Sequence, residues 1–159
     1  MNPKMAERAK HTDFMPHAEL EKLMNMMLPF GQQMLKKHGE FFPYGAVITS
    51  KGEVVMKAAY DGTEQPPSEK LIEMMTQAFR GEAAAGKIRA ACICSDVRTI
   101  QPGQTEKTDA ICAALEHECG DFVSVFLPYK KGWFGKIRYS DIFAVKRDPR
   151  FFVSGENSS

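Results

Sequence analysis

The residues best suited to chemistry form one short run, Glu116-His117-Glu118-Cys119, at the end of a strand-like segment. An imidazole beside a thiol can activate the sulfur as a nucleophile if the ring lies within hydrogen-bond reach and a third group orients it. No Asn or Asp that would orient His117 is evident in the sequence. We therefore name Glu116, His117 and Cys119 as a candidate reactive site. Solvated charged turn residues are the alternative interpretation, and we favour it.

The other three cysteines, Cys92, Cys94 and Cys112, fall in strand-like runs. A structural zinc site needs four ligands that converge, and two cysteines at Cys-x-Cys spacing on an extended strand do not supply them. We interpret these residues as small buried hydrophobes. A symmetric hairpin loop would place Cys112 opposite Cys94, so a redox-sensitive pair is the alternative. The sequence predicts no metal and no cofactor.

A second candidate segment joins the only tryptophan of the chain to a group of cations. Its candidate binding residues are Tyr129, Lys130, Lys131, Trp133, Phe134, Lys136 and Arg138. Such a segment can insert aromatic rings into a partner's groove, stack on nucleobases or sit at an anionic membrane. Because adjacent exposed aromatics are costly, we favour the interpretation that Trp133 and Phe134 fold back as a lid over the core while the lysines face water.

An alternation of helical and strand-like patterns must position these residues. Apolar spacing of three and four residues predicts a helix over residues 17–37, with a kink or break near Pro29 and a left-handed cap at Gly39. Two β-rich runs around Lys51-Gly52 predict a hairpin with a two-residue turn. A second helix is predicted over residues 69–85, with Ser68 as its cap.

Three strand-like runs follow, over residues 87–97, 109–117 and 122–129. A two-residue turn at Cys119-Gly120 makes Glu118 face Asp121, and parity then places Leu115 on the same face as Phe122. Both faces of this meander are therefore predicted to be largely apolar, so other elements must pack on both.

The pattern weakens beyond residue 129. We expect an extended stretch over residues 137–139, and then a short helix over Ile142, Phe143 and Val145, with Ser140 or Asp141 as its cap. We also expect residues 1–15 to be flexible, residues 16–153 to form a single domain and residues 154–159 to be a disordered tail.

This order of elements predicts an α+β fold: helix, β-hairpin, helix and three-stranded meander, in one roughly five-stranded antiparallel sheet with helices packed on it. The order is similar to that of profilin-like and roadblock-type domains, over residues 17–147. In those domains a five-stranded antiparallel sheet separates helices, so the resemblance implies the same layering here. It implies no functional residues.

The composition of the 159 residues limits the function classes. The hydrophobic share of 43% is typical of globular domains, and no apolar run approaches the roughly 18 residues of a membrane span. A net charge of +1 provides no global attraction for nucleic acid. The polar N-terminal stretch does not resemble a signal peptide, so we expect a cytoplasmic protein. The common hydrolase and nucleotide-binding motifs are absent from the sequence, which lowers the expectation of an enzyme.

Three functional hypotheses remain. The leading one is a small cytoplasmic protein-binding or adaptor domain that self-associates, with a homodimer as the simplest form. The alternative is a small-ligand-binding protein or an enzyme with a pocket near Glu116, His117 and Cys119. The second alternative, and the least favoured, is nucleic-acid binding through the segment from Lys130 to Arg138.

Overall fold

The computed structural model describes residues 17–153 of the chain, which form one antiparallel sheet with a helix on each face. The helices are α1 (Ala18–His38) and α2 (Ser68–Ala84). The strands are β1 (Tyr44–Thr49), β2 (Val54–Lys57), β3 (Ile88–Ile100), β4 (Lys107–His117), β5 (Phe122–Lys131), β6 (Ile137–Tyr139) and β7 (Phe143–Lys146). The predicted α+β class is confirmed. The predictions for residues 1–15 and 154–159 lie outside the described residues.

The sheet has seven strands rather than the expected five, in the order β2-β1-β3-β4-β5-β6. The strand β7 pairs with β5 as well, so β6 and β7 lie on the same edge of β5. The short helix predicted over Ile142, Phe143 and Val145 is wrong, because this stretch pairs with the open edge of β5. The ring of Phe143 stacks on that of Phe126, with centroids 4.9 Å apart. Cross-strand aromatic pairs of this kind favour a strand over a helix.

The two helices cover opposite faces because alternate residues of each strand point to opposite sides. Ala46, Cys92 and Leu115 belong to the core under α1. Val47 and Ile93, which lie between such residues, belong to a smaller core with Phe79 of α2. Each large apolar side chain buried in this way contributes about 1.5–3 kcal/mol. Among residues 17–153, neither helix is long and apolar enough to cross a membrane.

The helix α1 continues through Pro29, so the predicted break is absent. Opposite this point, the hydroxyl of Tyr44 donates a hydrogen bond to the carbonyl of Met27 at 2.5 Å. Gly31 makes this approach possible, since a Cβ there would lie 2.8 Å from the Tyr44 hydroxyl. The left-handed cap at Gly39 is confirmed, with φ +76°. The cap of α2 is Pro67 rather than the predicted Ser68.

The register between β4 and β5 is shifted by one residue from the prediction. His117 pairs its N–H with the carbonyl of Asp121, so the turn holds three residues, of which Gly120 has φ +111°. A one-residue shift moves every side chain of the following strand to the other face. Leu115 therefore lies opposite Val123, and not on the face of Phe122 as predicted. The strand β5 thereby contributes Val123, Val125 and Leu127 to the core under α1.

A similar shift separates the cysteines. Cys112 pairs with Ser95, and Cys94 pairs with Ala113, so Cys94 and Cys112 lie on opposite faces of the sheet. The alternative of a redox-sensitive pair is therefore wrong. Cys92 and Cys94 are buried side by side, with their sulfurs 3.9 Å apart, and all four cysteines are free. Burial raises the pKa of the Cys112 thiol to about 12.

Candidate functional sites

Two ends of the molecule carry the candidate residues, and the first is a polar group at the β4–β5 turn. We call it the histidine cluster and define it as His17, Glu19, Arg89, His117 and Cys119. His17 stands immediately before α1, and His117 ends β4. The two imidazole rings stack with centroids 3.9 Å apart and planes at 19°. Of this group, the sequence predicts only His117 and Cys119 as site residues.

The hydrogen bonds of His117 define which ring nitrogen carries the proton in its neutral form. Its Nδ1 accepts the backbone N–H of Cys119 at 3.1 Å, so that nitrogen presents its lone pair to the turn. Its Nε2 lies 2.9 Å from Oε1 of Glu19. Since a carboxylate only accepts, Nε2 is the protonated nitrogen and donates to Glu19. Glu19 is thus the orienting group that the sequence did not reveal.

Glu19 is itself held by Arg89, whose Nη2 and Nε lie 2.6 Å and 3.0 Å from its Oε2. The hydrogen bond from Arg89 lowers the pKa of Glu19 below its ordinary range. Arg89 can reach this carboxylate because the β1–β3 ladder pairs Ile48 with Ala90 and Thr49 with Ile88, which leaves Arg89 in a bulge. Bulges re-aim a side chain in this way.

Cys119 is exposed in the turn beside the histidines. Its sulfur lies 3.8 Å from Oδ2 of Asp121, and the same oxygen accepts the backbone N–H of His17 at 3.0 Å. One ring nitrogen of His17, one of His117 and the sulfur of Cys119 all lie within 4.8 Å of one another. Nitrogen and thiolate donors at this spacing are a set that could hold a transition-metal ion.

Glu116, the remaining predicted reactive residue, points to the opposite face of the sheet. Its side chain is fully buried, and it accepts the backbone N–H groups of Arg150, Phe151 and Phe152 at 2.9–3.2 Å. Arg147 also places Nη2 3.3 Å from this carboxylate. The structure therefore brings His117 and Cys119 together but separates both from Glu116, which fastens the C-terminal segment to the sheet.

The second candidate site is the turn between β5 and β6, at the other end of β5. We call the segment Gly132–Lys136 the aromatic tip. Trp133 is 87% exposed and Phe134 is 98% exposed, so the interpretation of these rings as a lid over the core is wrong. Phe134 also has φ +59° and is the only non-glycine residue of the described chain with positive φ. A bulky residue rarely adopts this conformation.

The other predicted binding residues of this segment divide into two groups. Lys130, Lys136 and Arg138 are exposed around the aromatic tip, and Lys131 is exposed but donates a hydrogen bond to the carbonyl of Gly39. Tyr129 is 2% exposed, and its hydroxyl donates to Asp96 at 2.7 Å. Tyr129 therefore supports the strand from within the core and does not belong to the exposed surface.

Comparison with known proteins adds no information on either site. No family model matches the chain, and neither a curated protein nor a solved structure is significantly similar to it.

Proposed function

We propose that this protein is a binding domain that docks on another protein by inserting Trp133 and Phe134 into an apolar pocket. Lys130, Lys136 and Arg138 would meet carboxylates at the rim of that pocket. The observation that carries the proposal is Phe134, a large aromatic side chain that is almost fully exposed on a backbone with positive φ.

Two unfavourable terms coincide at the aromatic tip. A left-handed backbone costs a non-glycine residue roughly 1–2 kcal/mol. An exposed aromatic ring also forgoes about 1.5–3 kcal/mol that burial would contribute. Glycine at position 134 would avoid the backbone cost and expose no ring, and glycines already stand at positions 132 and 135. Strain of this kind persists where the exposed conformation serves a function, and aromatic anchors dominate protein interfaces.

The charges near the aromatic tip favour a protein partner over a membrane or a nucleic acid. Asp96 accepts a hydrogen bond from Tyr129 near the end of β5. Burial is the main cause that raises the pKa of Asp96, and the charges of Asp109 and Glu40 raise it further. Among the cations of this segment, Lys131 is close enough to Asp96 to lower that pKa, so charges of both signs lie together here. An extended anionic surface or a phosphate backbone would be repelled by these groups, whereas a protein can match a pattern of mixed sign.

Self-association is the form of this proposal that can be tested with the purified protein alone. The core under α2 draws on β1, β3 and Phe151 of the C-terminal segment, and it includes no residue of β5 or β7. Phe126 and Phe143 are only partly buried there, and Val145 is exposed. Because this apolar surface could receive the aromatic tip of a second copy, that copy is the first partner to test.

The experiment compares the wild type with the double variant Trp133→Ala/Phe134→Ala and with Tyr60→Ala, which removes another exposed aromatic side chain. Sedimentation velocity measures self-association, and affinity capture followed by reconstitution with the purified partner measures heterologous binding. We expect the double variant to lose the complex and Tyr60→Ala to keep it. A complex that survives the double variant would contradict the proposal. Tip-dependent binding to anionic vesicles or to RNA, without a protein complex, would contradict it as well.

A further inference from the structure

We propose that the histidine cluster contains a binding site for a divalent cation of the zinc class, with His17, His117 and Cys119 as ligands. The observation behind this proposal is that one potential ligand atom from each of these residues lies within 4.8 Å of the other two. The three residues come from two distant parts of the chain, the start of α1 and the β4–β5 turn.

The donor set and its spacing suit zinc. In a tetrahedral zinc site, bonds of about 2.0–2.1 Å to nitrogen and about 2.3 Å to sulfur place neighbouring ligand atoms roughly 3.3–3.6 Å apart. The present limit of 4.8 Å requires the three atoms to close by about 1.5 Å at most. Asp121 is outside this set of three, and its Oδ2 lies 3.8 Å from the Cys119 sulfur. Thiolate and imidazole donors favour zinc over magnesium or calcium.

His117 already has the support that a metal-binding histidine needs. Such a histidine usually donates its second ring N–H to a carboxylate, which fixes the tautomer and raises the basicity of the ligating nitrogen. Here Nε2 of His117 donates to Glu19, which Arg89 holds in place. The lone pair of Nδ1 is thereby directed toward the turn that carries Cys119.

Binding requires local changes at both histidines: His17 is half-buried and its Nδ1 accepts the backbone N–H of Glu19, and His117 is 5% exposed. The lone pairs of an imidazole lie in the ring plane, so the two stacked rings cannot direct them at one ion until His17 rotates. Nδ1 of His117 must also release its hydrogen bond from the backbone N–H of Cys119 in order to bind the ion. Residues 118–121 are exposed, and Gly120 provides backbone freedom in this turn. The bound ion would then join the start of α1 to the end of β4.

Cobalt(II) titration of the full chain is the direct test, because a cobalt–thiolate bond gives a charge-transfer band in the near ultraviolet. We expect one ion per chain with this band in the wild type, no band in Cys119→Ala, and at least 10-fold weaker binding in His17→Ala. The matched controls Cys112→Ala and His38→Ala should bind as the wild type does. Circular dichroism of each variant shows whether it is folded.

Three outcomes would overturn the proposal. They are the absence of a charge-transfer band in the wild type, a band that persists in Cys119→Ala, and binding that depends on His38 rather than on His17. The positioning role of Glu19 has its own readout. Glu19→Gln should weaken cobalt affinity about 10-fold, the lower end of the usual effect of removing such a carboxylate, whereas Glu21→Gln on the same helical turn should not. Equal affinities in these two variants would exclude that role.

Discussion

The two ends of β5 differ in how far the side chains around them contact the rest of the protein. At its start, the residues around the β4–β5 turn are connected to one another: Glu19 links Arg89 to His117, and Glu116 binds the C-terminal segment. At its end, Trp133 and Phe134 stand almost fully in solvent. The first end stabilises the fold through polar contacts between distant segments. The rings of Trp133 and Phe134 bury little surface against the fold.

The largest effect should come from Glu116, at the connected end. Replacing it with Ala leaves three backbone N–H groups without an acceptor and Arg147 without its ion-pair partner. Breaking a buried pair of this kind destabilises a protein by about 3–5 kcal/mol. Urea unfolding should show this loss, and the exposed control Glu118→Ala should stay within about 0.5 kcal/mol of the wild type. Equal stabilities of the two variants would remove the proposed role of Glu116 as an anchor.

A smaller, pH-dependent effect is expected at Glu19. Its pKa is lower in the folded protein, chiefly through the hydrogen bond from Arg89, so ionised Glu19 stabilises the native state. This contribution is complete above the unfolded-state pKa of about 4.3 and is lost as the pH falls through the lower folded-state value. In urea titrations, the advantage of wild type over Glu19→Gln should be constant near neutral pH and shrink below about pH 4.3. A constant difference down to the lowest pH would refute the assignment.

At the aromatic tip, substitution should leave stability intact or improve it. Phe134→Gly relieves the positive φ but gives the unfolded chain more freedom, so we expect a gain of about 0–1 kcal/mol. The same variant should lose binding. Thermal or urea unfolding, together with the complex assay above, measures both properties. A loss of more than about 1 kcal/mol would mean that Phe134 packs against the fold and is not available to a partner.

The smallest effect on stability should come from Cys119→Ala, which nevertheless changes thiol reactivity. In the folded wild type, one of the four thiols should react quickly with an aromatic disulfide reagent, because Cys119 is exposed while Cys92 and Cys94 are buried. Burial also raises the pKa of Cys112 to about 12, so little of it is thiolate. Fast labelling should disappear in Cys119→Ala. Persistence of a fast thiol in that variant would show that the sheet opens.

The sequence predicted the elements through β5, because hydrophobic periodicity is a local property of helices and strands. The sequence did not determine the length of the β4–β5 turn, because a glycine in the last position, here Gly120, fits a turn of two residues or of three. The error of one residue placed the side chains of β5 on the wrong faces of the sheet. The sequence also did not determine the structure around Phe143, where the pattern fits either a helix or a strand. Pairing with the open edge of β5 makes this segment a strand. Such choices depend on residues distant in the chain.

The candidate sites show the same limit. His117 and Cys119 were identified because they are neighbours in sequence, whereas Glu19 is 98 residues away from His117 and no local pattern connects them. Glu116 was grouped with His117 because they are adjacent, although adjacent strand residues face opposite sides. The exposure of Trp133 and Phe134 contradicts the expectation that adjacent large aromatic side chains are buried. That expectation describes proteins on average, and the aromatic tip departs from it at Phe134, where the backbone is strained.

The fluorescence of Trp133, the only tryptophan in the chain, tests the central claim most directly. If the aromatic tip is free to bind, the emission of the isolated protein at low concentration should be that of a solvated indole and fully accessible to acrylamide. Emission should move to shorter wavelength, with loss of quenching, only when the partner is added or self-association begins. A short-wavelength, quench-resistant emission from the isolated monomer would contradict the account, because Trp133 would then already be covered by its own chain.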